Sequence, residues 1–322
     1  EGVFQHSPDS RIFTFDKGRF QAWGKVGFGI RANDHMDSVY NNYGVRYTRL
    51  YCDGKLVFAS DVNNIPVSCN RMVNSWGDYD HFLHTKIWFM KSFIEPGNTL
   101  PILRAGADRG IINFNQQRDY HLRYVVSDAF GNQTVKEFTV HGEPQAIPSV
   151  AKPEGGLPLY CKKDNRINAD GVRLNIQKGL LAKDGWLLMR TVPMGNALSM
   201  GYSFSKAPYP LFNYAEINIK AKDGIRNPEK LYIAARNSAA GGGPSAYCGG
   251  IYTNGWVKGR FRELSDIYFL TSDETAPLIT KMNLDPRHLF FKITDSGSGL
   301  KAYQASVDGE FILLEFGKNK EV

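Results

Sequence analysis

Residues 120–132 read Y-H-L-R-Y-V-V-S-D-A-F-G-N, and this stretch decides the fold class. Tyr120, Leu122, Tyr124 and Val126 alternate with His121, Arg123 and Val125, the period of two that turns one set of side chains to a core and the other to solvent. Asp128-Ala129-Phe130-Gly131-Asn132 then supplies a turn, because Asp bonds nearby backbone and Gly and Asn accept positive φ. Val135, Phe138 and Val140 start the return strand. A second signature of this kind, T-A-P followed by D-S-G-S-G, lies within residues 273–299.

Further strands flank the first signature at residues 22–30, 45–52 and 55–60, the last two joined by Asp53-Gly54, a strong two-residue hairpin signal. Between them and residue 120 lies an outlier. Over residues 70–94, Trp76, Tyr79, Leu83, Ile87, Met90 and Ile94 recur near helical spacing, which predicts an inserted helix ended by Glu95-Pro96-Gly97-Asn98. Residues 143–158 are rich in Pro and Gly and read as a linker. Strands at 172–176, 186–192, 215–220, 231–236 and 266–270 make a second β-rich unit over 159–271. The Gly241-Gly242-Gly243-Pro244 loop within it lacks the Lys-Ser/Thr pair of a phosphate cradle and reads as a turn. From Thr275 the first pattern restarts, with Asp308-Gly309 as another hairpin turn. The 51 residues from 272 to 322 are about half of a complete sandwich of this class, so the third unit reads as partial. The expected fold is all-β: tandem immunoglobulin-like β-sandwiches, comprising an extension (1–19), a first sandwich (20–142) with the helical insert, the linker, a second sandwich (159–271) and a partial third (272–322).

Composition excludes some partners. The chain of 322 residues exceeds what one core usually serves, and no run approaches the roughly 18 apolar residues of a membrane helix. It opens at Glu1 with neither Met nor an apolar leader, as after cleavage or omission of a signal segment. A net charge of +7 suits an anionic partner such as an acidic glycan. The basic residues are scattered, with Lys162, Lys163 and Arg166 and then Lys258, Arg260 and Arg262 the densest groups, which argues against nucleic acid. Cys52, Cys69, Cys161 and Cys248 show no C-x-x-C spacing; they read as one disulfide per sandwich or as four buried thiols.

Chemical motifs are sparse. His81 and His84, three apart on the expected helix, share a face with Asp78 and Asp80 nearby, the best metal-ligand constellation in the chain. No general base stands beside them as in a peptidase helix motif, and the residue pattern favours structural histidines. No G-x-S-x-G or phosphate loop occurs. Among Trp23, Trp76, Trp88, Trp186 and Trp256, core packing is the ordinary fate; Trp76, between Ser75 and Gly77, is expected to be the exception that offers a sugar-stacking face, with Trp88 the second candidate.

The runs A-W-G-K-V-G-F-G-I-R-A-N-D-H-M-D (22–37), Y-G-V-R (43–46), L-Y-C-D-G-K-L-V-F (50–58), F-I-E-P-G-N (93–98) and R-G-I-I-N (109–113) resemble the non-catalytic C-terminal region of secreted lysostaphin-type zinc metallopeptidases of Gram-negative anaerobes. The resemblance covers most of residues 20–142 and weakens beyond. It implies a separate, preceding domain that cleaves peptidoglycan cross-links with zinc held by a His, an Asp and the His of an H-x-H motif. No two histidines here are separated by a single residue, so no catalytic residue carries over and no cofactor is expected within this chain. The implied role is an accessory region at the cell envelope, secreted, periplasmic or on the surface, with its own catalytic domain and peptidoglycan or another envelope glycan as partners. The alternative is a free-standing, adhesin-like module that binds glycan or protein.

Overall fold

The computed structural model describes residues 2–5, 10–13, 19–35, 40–147, 152–195, 197–204, 211–236, 246–285 and 288–315. The Gly241 to Pro244 turn and part of the expected linker lie outside them. Among the described residues no helix is long and apolar enough to cross a membrane.

The chain begins with β1 (Gly2–Gln5), β2 (Ser10–Phe13), β3 (Arg19–Ala22), β4 (Gly24–Ile30), β5 (Asn33–His35), β6 (Asn42–Gly44), β7 (Tyr47–Cys52) and β8 (Lys55–Asp61). Next come α1 (Val73–Trp76), α2 (Tyr79–Thr85), β9 (Met90–Lys91), β10 (Leu103–Ala105), β11 (Ile112–Phe114), β12 (Asp119–Ser127) and β13 (Gln133–Gly142). One sheet runs β11-β4-β1-β2, with β9 also on β4; the other runs β10-β8-β7-β12-β13-β3. Residues 1–19, expected as an extension, therefore contribute two strands to the first sheet. The sheets face one another across a shared core in which Val26, Phe28 and Phe114 of one meet Leu50, Phe58, Leu122 and Tyr124 of the other. The buried Tyr124 hydroxyl donates to Ser92 Oγ at 2.7 Å, so the ring enters the core with its polar tip satisfied.

Local chemistry accounts for the turns. Asp128 Oδ1 accepts from the N–H groups of Phe130 and Asn132, and Gly131 takes φ +93°, closing the β12–β13 hairpin. Asp53 and Gly54 both hold positive φ in the two-residue β7–β8 turn, the primed geometry that matches strand twist. Ala22 to Ile30 is not one strand. Gly24, at φ +76°, breaks it, and the chain passes there from one sheet to the other.

The second body contains β14 (Leu157–Leu159), β15 (Asn165–Ala169), β16 (Val172–Ile176), β17 (Gly185–Leu187), β18 (Met189–Val192), β19 (Gly201–Phe204) and β20 (Ala215–Lys220). It continues with β21 (Leu231–Arg236), β22 (Ala246–Tyr247), β23 (Ile251–Thr253), β24 (Trp256–Phe261) and β25 (Ile267–Ser272). Two five-stranded sheets, β15-β16-β20-β24-β23 and β18-β19-β25-β21-β22, enclose a single core. Phe204, Phe261 and Tyr268 link them, each ring centroid within 5.8 Å of the other two. Beyond it, β26 (Leu278–Asp285) pairs with β27 (His288–Thr294), and β28 (Ala305–Val307) pairs with β29 (Glu310–Ile312) through the Asp308-Gly309 turn. Asp273 anchors this last part to β25, accepting from the Ser298 backbone N–H and hydroxyl at 2.7 Å each.

Candidate functional site

The insert of the first sandwich is broken rather than one helix to Ile94. A 3-10 turn (Val67–Met72) leads into α1, Gly77 adopts an extended conformation, and the Asp78 carboxylate restarts the chain as α2 by accepting from the His81 N–H. Lys86, in the left-handed region, ends α2, and among residues 87–94 only Met90–Lys91 forms regular structure, the short strand β9. The apolar spacing past Ile87 thus belongs to no helix: Met90 lies in β9 and Ile94 beyond it.

This insert and the Glu95-Pro96-Gly97-Asn98 turn form the joint with the second sandwich. Arg71 donates through Nε to the Leu211 carbonyl (3.0 Å) and through Nη2 to the Glu263 carboxylate (2.7 Å). The Gly97 N–H donates to the Ala182 carbonyl at 2.6 Å, and Met72 and Tyr79 pack against the buried Ala182 and Phe212. The turn is held from behind. Arg109 donates to the carbonyls of Ile94, Glu95 and Asn98, while Asn98 donates to Ser75 Oγ and the Met72 carbonyl. Lys91 and Glu95 form a buried ion pair (3.1 Å) directly beneath, and Lys183 of the second sandwich stands 3.9 Å from the same carboxylate. Burial lowers the Lys91 pKa, opposed by the Glu95 charge.

These contacts correct the expectation that Trp76 offers a sugar-stacking face, and place Trp88, Asp78, His81 and His84 within the insert's own packing. Trp76 is 6% exposed, its indole N–H donating to the Lys91 carbonyl, so it presents no face to a sugar. Trp88 is half-buried, edge-on to Phe82 (5.5 Å) and pressed over Gly77, where an added Cβ would lie 2.2 Å from the ring. Asp78 is spent capping α2; His81 lies against the Phe89 ring; His84 Nδ1 is 2.7 Å from the Asp80 carbonyl of its own helix. They do not converge, and the donor set does not fit zinc. Among the described residues no three His, Cys, Asp or Glu side chains are grouped to hold a metal ion. Elsewhere in the first sandwich, His141 Nδ1 lies 2.6 Å from the Asp119 carboxylate and its Nε2 3.5 Å from that of Glu143. All four cysteines are free, and burial pushes the Cys52 and Cys248 thiols up to about 11, away from reactive thiolate.

Near the joint, half-buried Asp266 has its pKa raised from 3.8 to about 6, by burial first and the Glu263 charge second. The charged form is the one folding penalises. The penalty is absent below pH 3.8, grows through pH 6 and is complete above it. Asp266→Asn is expected to stabilise the chain by about 1–2 kcal/mol at pH 7, a figure reduced for the group's exposure, with the gain vanishing towards pH 4 in urea titrations.

A second candidate surface lies on the outer face of β15-β16-β20-β24-β23. Alternation sends Ile167, Leu174, Ile217 and Val257 inward and leaves Arg166, Asn168, Arg173, Asn175, Glu216, Asn218, Trp256, Lys258 and Arg260 outside. Register sets these in rows: Arg166, Asn175, Glu216 and Arg260 in one, Asn168, Arg173, Asn218 and Lys258 in the next. Arg173 stacks over the Trp256 ring at 3.9 Å. Glu216 accepts from Asn218 and pairs with Lys258 at 2.5 Å, and this lysine, chiefly, lowers its pKa. The face bounds an open depression of about 590 Å³. Arg166 and the Lys258/Arg260 pair, far apart in sequence, are brought together here; the Asn254-Gly255 turn between β23 and β24, both residues at positive φ, is the signal that places the latter strand.

Residues 157–273, the second sandwich, match the model of the Zu5-like domain family. Comparison with curated proteins and with solved structures gave no match.

Proposed function

We propose that the chain is a non-catalytic accessory region of a secreted cell-wall zinc metallopeptidase, a stack of sandwiches that holds a catalytic domain lying outside these 322 residues at a set position against the envelope. The observation that supports this reading is the joint. A positioning element needs one seat between its parts, and here a backbone hydrogen bond, a part-buried arginine bridge and an apolar contact all engage at once. The resemblance over residues 20–142 supplies the class of enzyme. Within the insert, Trp76 bonds the Lys91 carbonyl beneath the joint and Asp78 caps the helix that carries Tyr79 to it, which gives both a reason to be there without chemistry. A second reading, a free-standing surface module, is favoured by the exposed polar face of the second sandwich.

The test is turnover of purified peptidoglycan with zinc added. The accessory reading expects none from the chain alone. It also expects that fusing the chain to a lysostaphin-type peptidase domain alters cleavage of intact sacculi while leaving cleavage of a soluble cross-link peptide unchanged. Chelator-sensitive turnover by the chain alone, or identical effects on both substrates, contradicts it.

A further inference from the structure

The geometry points to the outer face of β15-β16-β20-β24-β23 as a binding site for a carboxylate-bearing polysaccharide. The site does not depend on the accessory role.

Charge complementarity is the first ground. Arg166, Arg173, Lys220, Lys258 and Arg260 stand on this face against one carboxylate within it, Glu216, with Asp170 at the rim. The arginines offer planar forks suited to carboxylates. The second ground is the hydrogen-bonding inventory between the cations. Asn168, Asn175 and Asn218 each carry both donors and an acceptor, as hydroxyl-rich sugars require. Trp256, with Arg173 stacked over its ring, lines two depressions on this face and gives it an aromatic surface. Across the five strands the face spans about 19 Å, long enough for several sugar units in a row.

Glu216 adds a hydrogen-bond acceptor among the cations. It sits at the centre of the face, already held by Lys258 and Asn218. Paired with Lys258, it keeps acceptor capacity to which sugar hydroxyls can donate, a partner that a phosphodiester backbone lacks. A nucleic-acid surface would also interleave several aromatic rings with the cations, and among the described residues this face has one, Trp256.

The test is calorimetric titration of the full chain at low ionic strength with a polygalacturonate hexasaccharide, a neutral galactan hexasaccharide and a single-stranded DNA oligonucleotide. Polygalacturonate is expected to bind, weakened about tenfold or more by R173Q/K258Q and also by the second pair K220Q/R260Q, with the melting midpoint confirming that each variant folds. Removing the same charge elsewhere, with K55Q/K136Q on the first sandwich, is expected to leave affinity unchanged. Equal binding of the neutral hexasaccharide, equal weakening by K55Q/K136Q, tighter binding of DNA at this face, or no binding of polygalacturonate overturns the assignment.

Discussion

Gly97→Ala is expected to undock the two sandwiches. A Cβ at this position falls 2.0 Å from the Leu181 carbonyl oxygen and 3.1 Å from that of Ala182. These are backbone atoms, so no side chain can swing away to make room. The turn cannot retreat either, because Arg109 binds its carbonyls and Asn98 ties it to the 3-10 turn and α1. The methyl therefore forces the joint open, at the expense of the Gly97 to Ala182 hydrogen bond. Overpacking against backbone and one lost hydrogen bond together amount to about 2–4 kcal/mol. Each sandwich retains its own core, so the expected signature is separation of one melting transition into two with little loss of secondary structure. A single transition at the original temperature would show that the contact does not hold the units together.

The second large effect is expected from Phe261→Ala. Phe261 is 1% exposed and its ring touches Phe204 and Tyr268, which come from the opposite sheet. Truncation leaves a cavity at the place where the two sheets meet, with a loss of about 3–5 kcal/mol. The adjacent Glu263 accepts from both Arg71 and, through its carbonyl, the Tyr268 hydroxyl. Damage to the second core should accordingly reach the joint as well. Urea titration followed by tryptophan fluorescence is expected to show the second sandwich unfolding at lower denaturant than the first; coincident unfolding at the original midpoint would place the aromatic cluster outside the stability of the unit.

What the sequence discloses is what strands and turns disclose locally. The alternation of Tyr120, Leu122 and Tyr124 marks β12 because one face of that strand is buried, and Asp53-Gly54 and Asp308-Gly309 mark hairpins because only such residues take two consecutive positive φ angles cheaply. The helical insert misleads for a physical reason. Strand and helix periods overlap over short spans, so Met90 and Ile94 extend an apparent helical stripe that Gly77 has interrupted and Lys86 has already ended. Trp76 reads as exposed because Ser75 and Gly77 flank it, yet Ser75 is itself buried and bonded to Asn98. The Glu95 to Asn98 turn reads as a stop signal alone; its partner loop lies about 85 residues further on, and long-range register is not written in local pattern. The same holds for the polar face, where Arg173 and Trp256 meet only after β16, β20 and β24 have paired.

The account rests on a fixed seat between the sandwiches, and a distance distribution tests it most directly. Spin labels carried by non-natural residues at exposed positions 136 and 178, one on each sandwich, report that distance by pulsed electron resonance. One narrow distance in the unmodified chain, broadened by Gly97→Ala, is the predicted result. A broad or multiple distribution in the unmodified chain would contradict it.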